Sequence, residues 1–316
     1  MVGRGVVLGK EMIGLYFGNR QEYIGMKDLV QVIFSSLEIG SIYALASLGI
    51  IIIFRTAKMT NFAQGATGMF NAYVATFFLI KTGLPTVVAV LVGMLSAFIL
   101  GTCIDFLIIR RVKNKASISL QIVTLGLVLI LTGLAPLLFG GNPLAFPRFI
   151  QNASITIFGA SIMVNAILSI GIGIGILALV FLFLQKTKWG LAVRVTASNS
   201  ATAKLMGVPT SLVNMGAWAV AAALGTLSAL MLAPSTVVDI IMMDGVQLMA
   251  LIACVLGGFQ TFYGPIVGAY IIGLSKNLIT FYISSTWGTA INYALILVFI
   301  IFMPNGIFGK KQVKKV

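Results

Sequence analysis

Histidine is absent from the 316 residues, and only two cysteines and seven carboxylates occur. Without imidazole the chain lacks the usual zinc ligands, the commonest general base and any Ser-His-Asp arrangement. Cys103 and Cys254 both fall inside apolar stretches, where they read as small buried hydrophobes and give no disulfide framework. No GxxxxGK[ST] loop is present, so ATP is not held in the P-loop manner. Nor is there an HExxH or a GxSxG, which leaves intramembrane proteolysis and lipase chemistry without visible machinery. Charge is scarce too, at 9% of residues, whereas a soluble domain carries about 25%.

What fills the chain is apolar. Hydrophobic residues make up 59% and mean hydropathy is +1.08. Lipid is therefore the main solvent, and in lipid only helices or closed barrels satisfy the backbone. Long unalternating runs near 29–54, 61–80, 85–109, 117–139, 161–184, 211–233, 245–258, 262–283 and 286–303 select helices. The first 27 residues contain no long apolar core, so they do not read as a signal peptide.

The net charge of +14 follows the positive-inside rule better than it fits nucleic acid, which is not expected as a partner. Basic residues cluster as Arg55/Lys58, Arg110/Arg111/Lys113/Lys115, Lys186/Lys188/Arg194/Lys204 and Lys310/Lys311/Lys314/Lys315. Placing all four inside gives about nine crossings (eight to ten), with the N-terminus outside and the C-terminus inside. The expected fold is an all-α polytopic transmembrane bundle in the cytoplasmic membrane. It divides into an N-terminal extramembrane segment (1–28), the membrane domain (29–309) and a basic tail (310–316).

Two stretches interrupt the apolar pattern. The short 245–258 run ends in Gly257-Gly258 and is followed by Gly264-Pro265, and Thr60–Gly65 opens the second run. Broken or re-entrant helices that line a cavity suit both, as does close packing of a glycine-bearing helix. Asn61 and Gln64, flanking Phe62 beside Gly65, are candidates to line a solute path or to glue helices. Small residues four apart (Gly171/Gly175, Ala221/Gly225, Gly264/Gly268) predict helix contacts. Among ionisable groups at membrane depth, Asp105 predicts an ion pair with the arginines that follow it, while Glu38 and Lys276 read as snorkelling or bundle-facing.

Residues 185–210 are the one long polar interruption in the second half, basic at Lys186, Lys188, Arg194 and Lys204 and apolar at Leu191, Val195, Leu205 and Met206. Such a segment predicts a helix on the cytoplasmic face, a handle for a soluble partner to push.

Several stretches together resemble one family. Ser41–Gly49 resembles the opening span of branched-chain amino acid ABC importer permeases, and Met59–Gly65 their "NFAxG" segment. Trp189–Val208 resembles the loop that docks on the ATPase subunit. Val255–Phe259 with Gly264–Ala269 resembles the "VLGGxGSxxGAxxGG" segment, and Met303–Gly309 the closing motif. The likeness spans about residues 29–313. Where the family often has His-Gly-Glu after "NFA", this chain has Gln64-Gly65-Ala66.

The resemblance implies a permease without cofactor or metal, working with ABC ATPase subunits, a second permease in a heterodimer and an extracytoplasmic substrate-binding protein. It implies coupling through Gly190, Arg194, Ala197, Ala203, Leu205, Met206 and Gly207, and a substrate pathway at Asn61, Phe62, Gln64, Gly65, Gly257, Gly258 and Gly264. Urea, short amides and simple sugars remain alternative solutes, and a self-sufficient channel or carrier an alternative class.

Overall fold

Lipid offers no partner to an unpaired backbone amide, and every long apolar run closes into a helix. The computed structural model describes residues 25–83, 85–112, 116–150 and 153–309. The expectations placed on residues 1–24, on Lys113 and Lys115 and on the tail from 310 lie outside the described residues. Nine longer helices appear among them: α1 (Met26–Ala57), α2 (Gln64–Thr82), α3 (Thr86–Cys103), α4 (Ser117–Phe139), α5 (Val164–Lys186), α8 (Thr210–Leu232), α9 (Asp244–Gly257), α10 (Gly264–Tyr282) and α11 (Gly288–Phe302). Two short ones, α6 (Lys188–Ser198) and α7 (Ser200–Leu205), sit between α5 and α8. Five spans are long and apolar enough to cross a membrane by length and composition alone: α1, α3 with its extension to Arg111, α4, α5, and α8 with its extension to Ser235.

The boundaries follow local chemistry. Lys58 ends α1 in the left-handed conformation, its N–H donating to Phe54 O. Gly83 ends α2 in the same way, and Gly264-Pro265 opens α10 with proline where a missing N–H is harmless. One element escaped the sequence pattern. Residues Ser154–Ile157 (β1) and Ala160–Met163 (β2) pair as an antiparallel hairpin. Its two-residue turn, Phe158-Gly159, has φ of +48° and +81°, the signs a tight hairpin of this hand requires.

Two helices form the centre. Of the most apolar stretches of α1 and α8, 78% is buried, against 22–28% for α3, α4 and α5. α1 packs on α9 and α10, while α8 packs on α2 and α3, so each half lends its long helix to the other. The two long helices run in opposite directions, α1 ending and α8 beginning at the end where Lys58 and Ser211 are held. Small residues allow the close approach that lipid-solvated helices need. A Cβ on Gly68 would lie 2.5 Å from Gly225 O, one on Gly101 2.5 Å from Trp218 O, and one on Gly273 2.9 Å from Ser36 O. The Ala221/Gly225 and Gly264/Gly268 pairs pack as expected. The Gly171/Gly175 pair does not: both face open space, and Gly173, on the other face of α5, meets Ser41. Cys103 is likewise exposed on α3, unlike buried Cys254, whose thiol donates to Ser47 O at 3.5 Å.

Contacts at the helix ends fix the direction of each helix. Lys58 Nζ donates to Ala197 O at 2.6 Å, Ser117 Oγ to Lys58 O at 3.0 Å and Arg110 Nη2 to Ser211 O at 3.2 Å. Arg55 lies over the Phe262 ring at 4.8 Å, and Ile307 N–H donates to Leu256 O at 2.8 Å. These bonds gather the ends of α1, α3, α9 and α11, the starts of α4 and α8, and the α6–α7 arm at one end of the bundle. Leu144 bridges Val238, the neighbour of Asp239, at the opposite end. The described members of the basic clusters therefore share one end.

Candidate functional site

The break between α1 and α2 turns the chain back into the bundle. α1 has 32 residues, about 48 Å at 1.5 Å per residue, and so overruns a ~30 Å hydrocarbon core. After Lys58 the chain re-enters without helix, and Met59, Asn61, Ala63 and Gln64 are buried. Because Gln64 touches Gly49, nine residues before Lys58, α2 begins well inside the bundle. On the other half, α9 has only 14 residues and starts beside it: a Cβ on Gly65 would lie 3.2 Å from Met243 O. α2 and the shorter α9 thus meet at their N-termini.

Side-chain amides hold that joint. Gly65 N–H donates to Gln247 Oε1 at 2.7 Å, and Gln247 Nε2 donates to Asn61 O at 3.3 Å. Gln64 Nε2 donates to Ala221 O at 2.6 Å, and its Oε1 accepts from Asn61 Nδ2 at 3.3 Å. Asn61 Oδ1 accepts from Ala63 N–H at 2.9 Å, while Phe62 N–H donates to Thr124 Oγ1 at 3.2 Å. Every side-chain polar atom of Asn61 and Gln64 has a partner inside the chain. Gln247 escaped the sequence reading. Its signal was the placement of a lone amide in the first turn of the short ninth helix, matching Gln64 in the second.

Gly257, Gly258 and Gly264 lie at the other end of α9, at the basic end. The backbones of Gly257 and Gly264 touch, and Gly258 has φ +90° with Asn305 O 2.9 Å from where a Cβ would stand. These glycines let the α9–α10 turn and the closing Asn305–Gly309 segment cross backbone to backbone. They are packed, as the joint residues are, and lie apart from Asn61 and Gln64.

Replacing Gln247 by leucine removes the acceptor for Gly65 N–H and the donor to Asn61 O together. About 1–2 kcal/mol of stability is expected to go with them. Thermal unfolding of the purified variant reads this directly, and an unchanged midpoint would mean that the bridge holds nothing.

The second cluster is the α6–α7 arm. Thr187 caps α6, its Oγ1 accepting from Gly190 N–H at 3.0 Å, and Asn199 caps α7 by accepting from Ala201 and Thr202 N–H. One face of the arm is buried through Gly190, Val193, Thr196, Ala197 and Ala203. Gly190 sits directly on the Leu184 carbonyl, with no room for a side chain. The other face is open: Leu191, Arg194, Leu205 (89% exposed), Met206 (71% exposed) and Gly207, the last at φ +76°. Arg194 Nη2 donates to Gln185 O at 3.3 Å. The expected coupling residues therefore divide into three that anchor the arm (Gly190, Ala197, Ala203) and four that it presents.

Residues 32–304 match the model of the family described as branched-chain amino acid transport system / permease component. The chain belongs to this family. The high-affinity branched-chain amino acid transport system permease protein LivH of Escherichia coli K12 is 27% identical, over 91% of this chain and 97% of that protein. A probable branched-chain amino acid transport permease protein LivH of Methanocaldococcus jannaschii is 26% identical, over 90% and 94%. The permease protein BraD of Pseudomonas aeruginosa is 24% identical, over 91% and 98%. A solved structure titled PsaBC from Streptococcus pneumoniae in complex with Fab is similar at 17% identity and a TM-score of 0.45, covering 96% of this chain and 97% of that one. The permease is thus a multi-pass helical subunit of a cell-membrane transport system.

Charge at depth in the permease is handled locally. Asp105 and Arg110 pair at 3.1 Å, as their spacing predicted. A turn of π-helix, Ile104–Ile108, buries Asp105 at the end of α3. Lys276 Nζ donates to Tyr43 Oη at 3.2 Å, and Glu38 is half-buried on α1.

Proposed function

We propose that the permease carries branched-chain amino acids inward across the cytoplasmic membrane by alternating access, driven by separate ATPase subunits. It performs no bond chemistry itself. A substrate-binding protein delivers the solute on the outer face, a second and related permease completes the membrane unit, and lipid surrounds both. The α6–α7 arm carries this reading. It is anchored by a buried face at the basic end, which the positive-inside rule puts in the cytoplasm, and it presents apolar Leu191, Leu205 and Met206 beside Arg194 and Lys204. That pattern, an apolar centre rimmed by charge, suits a protein partner.

The core around α1 and α8 is filled by large side chains such as Leu45, Leu48, Ile50, Ile51, Tyr73 and Trp218. A route between this chain and the second permease therefore fits better than one through a single chain. Asn61, Phe62, Gln64 and Gly65, with Gly257, Gly258 and Gly264, then shape the route by setting where helices break. Arm displacement would reach them because Lys58, at the end of α1, is bonded to Ala197 of α6.

The test is uptake of labelled leucine into vesicles. Uptake is expected only with ATPase, ATP and binding protein present, and Leu205→Asp with Met206→Asp is expected to lower it about tenfold or more by placing charge in an apolar contact. Gradient-driven uptake by this chain alone would sink the proposal.

A further inference from the structure

At the basic end, beside the arm, lies a pocket of about 260 Å³ lined by Lys58, Arg110, Lys204, Ser200, Thr210 and Ser211, among others. Its one carboxylate, Asp105, is engaged by Arg110 at 3.1 Å. No carboxylate lies within salt-bridge distance of Lys58 or Lys204 among the described residues. The pocket therefore holds three cations against one anion. Such an excess gathered in a cavity is stabilised by an anion entering it.

Three further features aim at the same space. Lys58 occupies the left-handed region at φ +55°, unusual for a residue with a Cβ, and its ammonium reaches the arm, donating to Ala197 O at 2.6 Å. Partial desolvation and the neighbouring Arg55 hold its ammonium below the usual lysine range, as befits a cation short of negative charge. The 23-residue helix α8 begins at the pocket with no side-chain cap, so its positive dipole end lies there too, while the N–H groups of Thr210, Leu212 and Val213 donate to the Val208 and Pro209 carbonyls. Hydroxyls of Ser200, Thr210 and Ser211 add donors of the kind that bind tetrahedral oxyanions.

We propose that this pocket binds a phosphate group, which ties Lys204 and Ser200 of α7 to Lys58 of α1, Arg110 after α3 and the start of α8. The phosphate has two sources, the head of an anionic phospholipid or a soluble phosphate. The lipid is within reach: Phe106, Leu107, Ile118 and Ile122, on the α3 and α4 segments that meet at the pocket, are exposed apolar side chains. Binding at this site does not depend on what docks on the arm.

The test uses the full chain in neutral detergent. Retained phosphatidylglycerol and phosphatidylcholine are counted by native mass spectrometry, for wild type and for Lys58→Gln/Lys204→Gln. A parallel arm follows thermal unfolding as sodium phosphate is added at constant ionic strength. On the order of twentyfold weaker retention of phosphatidylglycerol in the variant, with phosphatidylcholine unchanged, is expected for a lipid head. A phosphate-dependent rise in midpoint for wild type alone, with equal lipid retention, assigns the site to a soluble ion. If neither ligand distinguishes the two proteins, the site is overturned. Should the double variant aggregate, Lys204→Gln alone decides, because that side chain is exposed and its loss leaves the fold intact.

Discussion

Valine at position 190 is expected to stop leucine uptake while leaving the chain inserted in the membrane. Gly190 lies against the Leu184 carbonyl at the elbow between α5 and α6, and even a Cβ would overlap that backbone. The elbow has no slack. Thr187 Oγ1 donates to Phe183 O at 2.6 Å and accepts from Gly190 N–H, while Trp189 packs on Phe183 at 5.4 Å between ring centroids. Relief must come from swinging α6 away, which breaks the bond from Lys58 to Ala197 and moves Leu191, Arg194, Leu205 and Met206 together. Overpacking of this kind costs about 1–3 kcal/mol. That is about five- to 140-fold in the population of the docked arm, since 1.4 kcal/mol is a factor of ten. Gly175→Val is the matched control, because nothing lies within 4 Å of a Cβ there. Wild-type uptake and ATPase co-purification by Gly190→Val would remove the arm from the mechanism.

Helices in this chain were readable because the same property, sustained apolar length, both drives insertion and forces hydrogen bonding within the segment. The runs near 117–139 and 245–258 match α4 and α9 almost to the residue. What failed was anything that depends on which face a helix turns inward. Gly171 and Gly175 share a spacing with Ala221 and Gly225, yet only the second pair meets a neighbour. Cys103 sits in an apolar run and faces out. Lipid is as apolar as leucine, so hydrophobicity carries no inside-outside signal for a spanning helix. The β1–β2 hairpin was missed for another reason: its turn is Phe158-Gly159, without the Asn-Gly or Asp-Gly that signals a tight hairpin, and each strand has only four residues.

The site was half legible. Breaks at Thr60–Gly65 and after Gly257 announced themselves through glycine and amides, because a broken helix needs both freedom and replacement hydrogen bonds. Their partners were invisible. Asn61 and Gln64 bond to Ala221 and Gln247, residues about 160–190 positions away, and nothing local encodes such pairings. The second amide stands in the first turn of α9 because that helix opens beside α2, where Gln247 accepts from Gly65 N–H while Gln64 donates to Ala221 O of α8.

Leucine at Gly68 is expected to open the contact between α2 and α8 and to destabilise the membrane domain strongly. A Cβ at 68 would stand 2.5 Å from Gly225 O and 2.9 Å from its carbonyl carbon. The obstacle is the backbone of α8, which cannot rotate out of the way as a side chain can. α8 in turn is held from the far side, with Ser228 Oγ donating to Ile42 O of α1 at 2.9 Å and Trp218 buried. The α2–α8 contact must therefore open as a whole, taking with it the bond from Gln64 to Ala221 one turn away. A loss above about 3 kcal/mol is expected, at the upper end of overpacking effects. It should appear as aggregation on size-exclusion chromatography or as a lowered unfolding midpoint, with Gly68→Ala intermediate. Gly126→Leu, where a side chain meets open space on α4, should match wild type in both assays. If Gly68→Leu unfolds with that control, α2 and α8 do not touch as described, and the joint between α2 and α9 loses its support.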